Sequence, residues 1–154
     1  MIFVTVGTAR DFSRLIKKID EIARKINEKI IVQKGKTTYE PKNCEYFRFV
    51  PRKKYLEYIK RADIIITHAG VGNIISSLKN KKPTIVVPRR KKYNEHRNDH
   101  QMDITKKLES EGWVLACYDI DNLRERIKEV KTLSPKSERS QIKGILKDFI
   151  ERNM

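Results

Sequence analysis

Cysteine, proline, glycine and tryptophan are all scarce in this 154-residue chain, with two, five, six and one copies. The two cysteines, Cys44 and Cys117, lie 73 positions apart and share no CxxC or Cys/His spacing. Neither a zinc site nor a disulfide framework is expected, and both are read as reduced thiols. No apolar run approaches the roughly 20 residues that cross a bilayer, and no basic n-region or cleavage site precedes the strand-like run after Met1, which predicts a cytoplasmic protein. Neither GxGxxG nor GxxxxGK[ST] occurs, which argues against dinucleotide binding and P-loop chemistry. Acidic side chains are the last scarcity: 20 Asp+Glu face 35 Lys+Arg, a net charge of +15. That surplus points to nucleic acid, to an anionic membrane face at about 1 kcal/mol per well-placed cation, to a phosphorylated small molecule, or only to a solvated Lys-rich surface.

What is present reads as one folded domain. Apolar residues make up 38% of the chain and cluster in short dense runs such as Ile64-Ile65-Ile66, with no internal repeat or low-complexity linker. Strands are predicted over 2–6, 30–33, 46–50, 64–67, 84–87 and 113–117. Between them, helical spacing occupies the segment from Phe12 to Ile26, capped by Asp11 or Ser13 and ending near Lys29, then 51–63, 71–78, 99–111 and 121–130. Near-continuous apolar strands alternating with helices predict an α/β fold, an open Rossmann-like parallel sheet with helices on both faces. After Pro135, the residues Ile142, Ile145, Leu146, Phe149 and Ile150 form one apolar stripe on a basic C-terminal helix, which docks either on the chain's own sheet or on a partner subunit.

Ligands of an open parallel sheet bind at the carboxyl ends of its strands, here the loops at Gly7, at His68 to Gly72 and at Pro88 to Gln101. The turn His68-Ala69-Gly70-Val71-Gly72-Asn73 opens a helix, whose free N–H groups and positive dipole end favour a phosphate. Glycines also serve tight turns that bind nothing, so the turn alone leaves both readings open. His68 is either a structural or capping hydrogen-bond group, or a contact to phosphate and the one candidate for proton transfer. Arg89-Arg90-Lys91-Lys92 follow a strand end and suit phosphate, or form a plain basic surface, while Asn98, His100 and Gln101 offer groups suited to sugar hydroxyls. His96 and His100 are four apart, but no Glu completes HExxH, and no metal or cofactor is expected. A nucleic-acid module using Arg89 to Lys92 would have only Tyr93 for stacking, which disfavours it.

Taken in order, Ile2-Phe3-Val4-Thr5-Val6-Gly7-Thr8, Phe12 with Leu15-Ile16, Thr67 to Ile74, Lys82-Pro83 and Asn98-Asp99-His100-Gln101 form a specific set over roughly residues 1 to 118. This set resembles the C-terminal domain of family 28 glycosyltransferases, the MurG-like group. In size it is similar to stand-alone versions: the small subunit of the dolichol-linked UDP-GlcNAc transferase and the PssE-like subunits of exopolysaccharide synthesis. The resemblance implies the donor-binding half of a GT-B fold and inverting transfer from a UDP-sugar without a DxD-bound metal. It places Gly7, Thr8, His68, Ala69, Gly70, Val71, Gly72 and Asn73 at the donor diphosphate, and Arg89, Asn98, His100 and Gln101 at the sugar. Ser76 stands where many relatives carry an acidic residue for the ribose, and serine bonds only one hydroxyl well. The acceptor, a lipid-diphosphate-linked sugar, is expected on a membrane-associated glycosyltransferase subunit, with the chain held peripherally at an anionic cytoplasmic membrane face. An inactive partner-binding protein with the same fold is the other reading.

Overall fold

A computed structural model describes residues 1–133 together with Gly144 and Lys147. The expected apolar stripe of the C-terminal helix, Ile142 to Ile150, lies outside the described residues.

The elements follow in chain order: β1 (Ile2–Thr5), α1 (Ser13–Ala23), β2 (Ile30–Gln33), β3 (Glu45–Phe47), α2 (Arg52–Arg61), β4 (Ile64–Thr67), α3 (Val71–Lys79), β5 (Thr84–Val86), α4 (His100–Ser110), β6 (Leu115–Ala116) and α5 (Leu123–Val130). The six strands form one sheet in the order β3-β2-β1-β4-β5-β6, every neighbouring pair parallel. The chain winds outward from β1 to β3, then crosses to the other side of β1 and winds outward again to β6. The order therefore reverses between β1 and β4, whose carboxyl ends open a crevice.

Alternation along the strands sorts the apolar side chains onto two faces. Ile2, Val4, Val6 and Ile66 pack against Leu15, Ile16 and Ile19 of α1 and Leu123, Ile127 and Val130 of α5. Phe3, Ile31 and Ile65 point the other way, onto Tyr55 and Ile59 of α2, while Ile74, Leu78, Ile104 and Leu108 of α3 and α4 cover Val86. Because both faces are covered, β1, β2 and β4 are buried at every position.

Boundaries shifted where side chains or loops intervene. Apolar spacing continues to Ile26, but α1 ends at Ala23, so its last turn carries no cation and Lys29 sits instead near Glu45, at 3.6 Å. Asp11, two residues before the start of α1, accepts the Ser13 N–H at 2.9 Å, and the Phe12 N–H donates to Thr37 Oγ1. The edge strands β3 and β6 are shorter than their apolar runs suggest. Phe49, expected in a strand, is exposed ahead of Pro51, which starts the turn into α2.

Candidate functional site

The crevice at the carboxyl ends of β1 and β4 is a cleft of about 410 Å³. Its walls bring together Gly7 and Thr8, then His68, Gly70, Gly72 and Asn73, then Arg89 and Gln101. Ala69, Val71, Asn98 and His100 instead line an adjoining hollow of about 390 Å³ that shares Gln101 and His96 with the cleft. Ser76 lines neither: it is buried in α3, and its hydroxyl donates to the Gly72 carbonyl at 3.0 Å.

Helix α3 begins at the cleft with Gly70 as its N-cap, and no side chain caps it. Its leading N–H groups and the positive end of its dipole are thus available to an anion. A Cβ on Gly72 would meet nothing within 4 Å, so this turn leaves open space beside those amides. Gly7 and Gly70 have another purpose. Gly7 has φ +75, and a Cβ there would lie 2.6 Å from His68 Nε2, while a Cβ on Gly70 would overlap the same ring. The imidazole is wedged between two glycine backbones, and larger residues at either position would expel it.

His68 is gripped at both ring nitrogens. Tyr55 OH donates to Asn73 Oδ1 at 2.7 Å, which turns the Asn73 NH2 toward His68 Nε2, at 3.2 Å. Gln101 Oε1 accepts the backbone N–H groups of Ala69 and Arg89, at 3.2 and 3.0 Å, and its NH2 meets His68 Nδ1 at 3.3 Å. Two amide donors face one ring, so a neutral imidazole satisfies one and an imidazolium would satisfy neither. Burial pushes the His68 pKa down to about 3, and the Arg89 charge adds to it. His68 is therefore a neutral hydrogen-bonding group held by Asn73 and Gln101, not a helix cap.

Residues 1–152 match the glycosyltransferase family 28 C-terminal domain. The chain belongs to this family. Similar curated proteins are the UDP-N-acetylglucosamine transferase subunit ALG13 of Homo sapiens, 32% identical over 129 residues (75% of this chain, 11% of that protein), and of Mus musculus, 30% over 128 residues (75% and 10%). The chain spans about a tenth of the length of these relatives. Among solved structures it is similar to an NMR structure of ALG13, with TM-score 0.64, 19% identity and 92% coverage of both chains. It is also similar to MurG of Acinetobacter baumannii, with TM-score 0.59, 16% identity, and coverage of 94% of this chain and 49% of that one. These two structural likenesses concern the fold.

Within this family 28 domain the four consecutive cations do not act as a block. The Arg89 side chain is buried, and its guanidinium donates to the carbonyls of Val6 (2.6 Å), Asp11 (2.9 Å) and Arg10 (3.1 Å) while resting 4.7 Å from the Phe12 ring centroid. Arg90 lies 3.5 Å from Asp99, and Lys91 and Lys92 are exposed. Arg89 thus lines the cleft and also braces its wall through the three carbonyls it holds. Sequence reading missed its companions. Glu95 is buried, holds Arg14 through both carboxylate oxygens (2.8 and 3.0 Å) and accepts the Arg90 N–H at 3.0 Å, which ties the 88–99 loop to α1. Asp11 accepts from Thr38 N–H and Oγ1, at 2.7 and 2.9 Å, and those hydrogen bonds outweigh burial to hold its pKa at about 2. Gln33, Arg10 and His96 also line the cleft. For Gln33 the signal was visible, a polar side chain closing an otherwise apolar strand.

No group of three His, Cys, Asp or Glu side chains gathers as a metal site among the described residues, and no helix among them is long and apolar enough to cross a membrane. His96 Nδ1 accepts the Asn98 N–H at 3.4 Å, and His100 is exposed.

Proposed function

We propose that this family 28 chain is the donor-binding subunit of a two-subunit inverting hexosyltransferase, which moves a sugar from a UDP-sugar to a lipid-diphosphate-linked acceptor. The observation that carries this reading is the uncapped start of α3, opening onto a cleft at the switch point with free space beside Gly72. The diphosphate lies against the turn from His68 to Asn73 and beside Gly7 and Thr8. Backbone N–H groups there hold the charge that UDP gains as it leaves, and the dipole of α3 stabilises it. His68, neutral, serves as a hydrogen-bonding group; no side chain on this chain is assigned as the base. The sugar extends toward Asn98, His100 and Gln101 in the adjoining hollow. While Ser76 donates to the Gly72 carbonyl, its hydroxyl can meet the ribose only as an acceptor. The acceptor half belongs to a membrane-associated partner subunit, which keeps this basic chain at the anionic cytoplasmic face of the membrane.

Isothermal titration of the full chain with UDP and UDP-sugars tests the donor site. Binding that weakens in Gly70→Val and in Gln101→Ala supports it, and a folded wild-type chain that takes up no UDP at millimolar concentration removes it. Co-expression with the acceptor subunit and a donor screen then identify the sugar.

A further inference from the structure

Three neighbouring strands end in a polar residue at the same level. Thr5, Gln33 and Thr67 close β1, β2 and β4, and the register pairs Thr5 with both of the others. By strand alternation all three share the face of Phe3, Ile31 and Ile65, the one covered by α2. Thr5 and Thr67 are 0% exposed and Gln33 is 7% exposed. Thr5 Oγ1 faces the buried Tyr55 hydroxyl, whereas Gln33 Oε1 and Thr67 Oγ1 have no hydrogen-bond partner. These two flank Thr5 in one row across the sheet. An unpaired buried polar group costs about 1–3 kcal/mol, and one that lines an open cleft can find its partner in a ligand. Of the three, Gln33 lines the cleft that also holds His68, Gly72 and Asn73.

We infer that the carboxamide of Gln33 is a specificity-determining contact for the nucleotide, hydrogen-bonding a group that presents a donor and an acceptor side by side. The uracil imide and the vicinal ribose hydroxyls both have that chemistry, and a carboxamide matches it with its own C=O and NH2. The inference rests on the cleft being the nucleotide-sugar site proposed above. Ser76, the ribose candidate from sequence, has its hydroxyl engaged within α3, whereas Gln33 Oε1 is unengaged.

The test pairs protein and ligand changes. UDP, 2′-deoxy-UDP and 3-methyl-UDP are titrated into the wild-type chain and into Gln33→Met, with thermal melts to establish folding. Gln33→Met is expected to bind UDP about ten-fold more weakly. The ligand change that removes the group contacted by Gln33 should weaken binding to the wild type and cost nothing further in the variant. A Gln33→Met chain that binds UDP like the wild type overturns the inference. So does the outcome in which 2′-deoxy-UDP and 3-methyl-UDP each lose the same affinity in both proteins, because that marks the row as purely structural. If the variant does not fold, the assigned side-chain NH2 resonances of Gln33 in the wild type decide: displacement on UDP addition supports the contact, and no displacement overturns it. A folded wild type that binds no UDP instead removes the nucleotide-sugar reading itself, and this inference with it.

Discussion

Replacing Arg89 separates a ligand contact from a support. Its guanidinium holds three carbonyls of the β1–α1 turn, at 2.6, 2.9 and 3.1 Å, and lies against Phe12. Burial lowers its pKa to about 10, against the pull of Glu95 and Asp11, so it remains charged at neutral pH. In Arg89→Met the carbonyl of buried Val6 loses its partner, at about 1–3 kcal/mol, while those of the exposed Arg10 and Asp11 recover water. Release from burying the charge offsets part of this, and the lost packing on Phe12 adds to it. The net expectation is a loss of about 3 kcal/mol, a large share of the roughly 5–15 kcal/mol that holds a domain folded. The melting temperature should fall by about 6–12 °C, at about 2–4 °C per kcal/mol for a chain of this size. Urea denaturation at constant m-value measures it. Arg89→Lys should recover about a third, since one ammonium replaces a planar fork. A residue that only touched the sugar would leave the urea midpoint unchanged. A loss below about 1 kcal/mol in Arg89→Met would therefore refute the supporting role.

Glycine substitutions in the α3 turn should diverge: Gly72→Ala, with open space and a helical position, should raise stability by about 0.5–1 kcal/mol while narrowing the anion site, whereas Gly70→Ala should displace the His68 ring and lower stability. Differential scanning calorimetry with and without UDP reads both. His68 takes up a proton near its ordinary 6.5 when unfolded but only near 3 when folded, so stability attributable to it falls as pH drops through that interval. The wild type minus His68→Gln difference in urea midpoint, compared at about pH 7 and about pH 4.5, should shrink; a constant difference would contradict a neutral, buried imidazole. Tyr55→Phe removes the bond that orients Asn73 and should cost about 1 kcal/mol, with UDP affinity falling as the Asn73 amide becomes free to rotate. Equal affinity for UDP in the two proteins would sever that link.

The parallel sheet was legible because runs such as Ile2 to Thr5 and Ile64 to Thr67 are apolar at nearly every position, which only a strand covered on both faces requires. The strand ends were less so at β3 and β6, where edge position and the turn at Pro51 shortened the pairing. The cleft was legible as well, since carboxyl-end loops follow from strand order and direction. Less legible were the partners of individual residues within it. Gly70 reads as room for a ligand, yet its first occupant is the ring of His68. Four cations in a row suit phosphate or a plain basic surface, yet the first is turned inward and the second lies beside Asp99.

By itself, then, the order of apolar runs, turns and glycines determined the fold, its family and the edge of the sheet where the cleft opens, because those depend on local periodicity and on rules of connection. Which polar groups around that cleft are engaged and which are free was decided only in the tertiary structure. Arg89 finds its acceptors 78 to 83 residues away, Glu95 meets Arg14 across 81, and Gln33 keeps an oxygen without a partner. A hydrogen bond is satisfied by distance and direction in space, and neither is written in the spacing of residues along the chain.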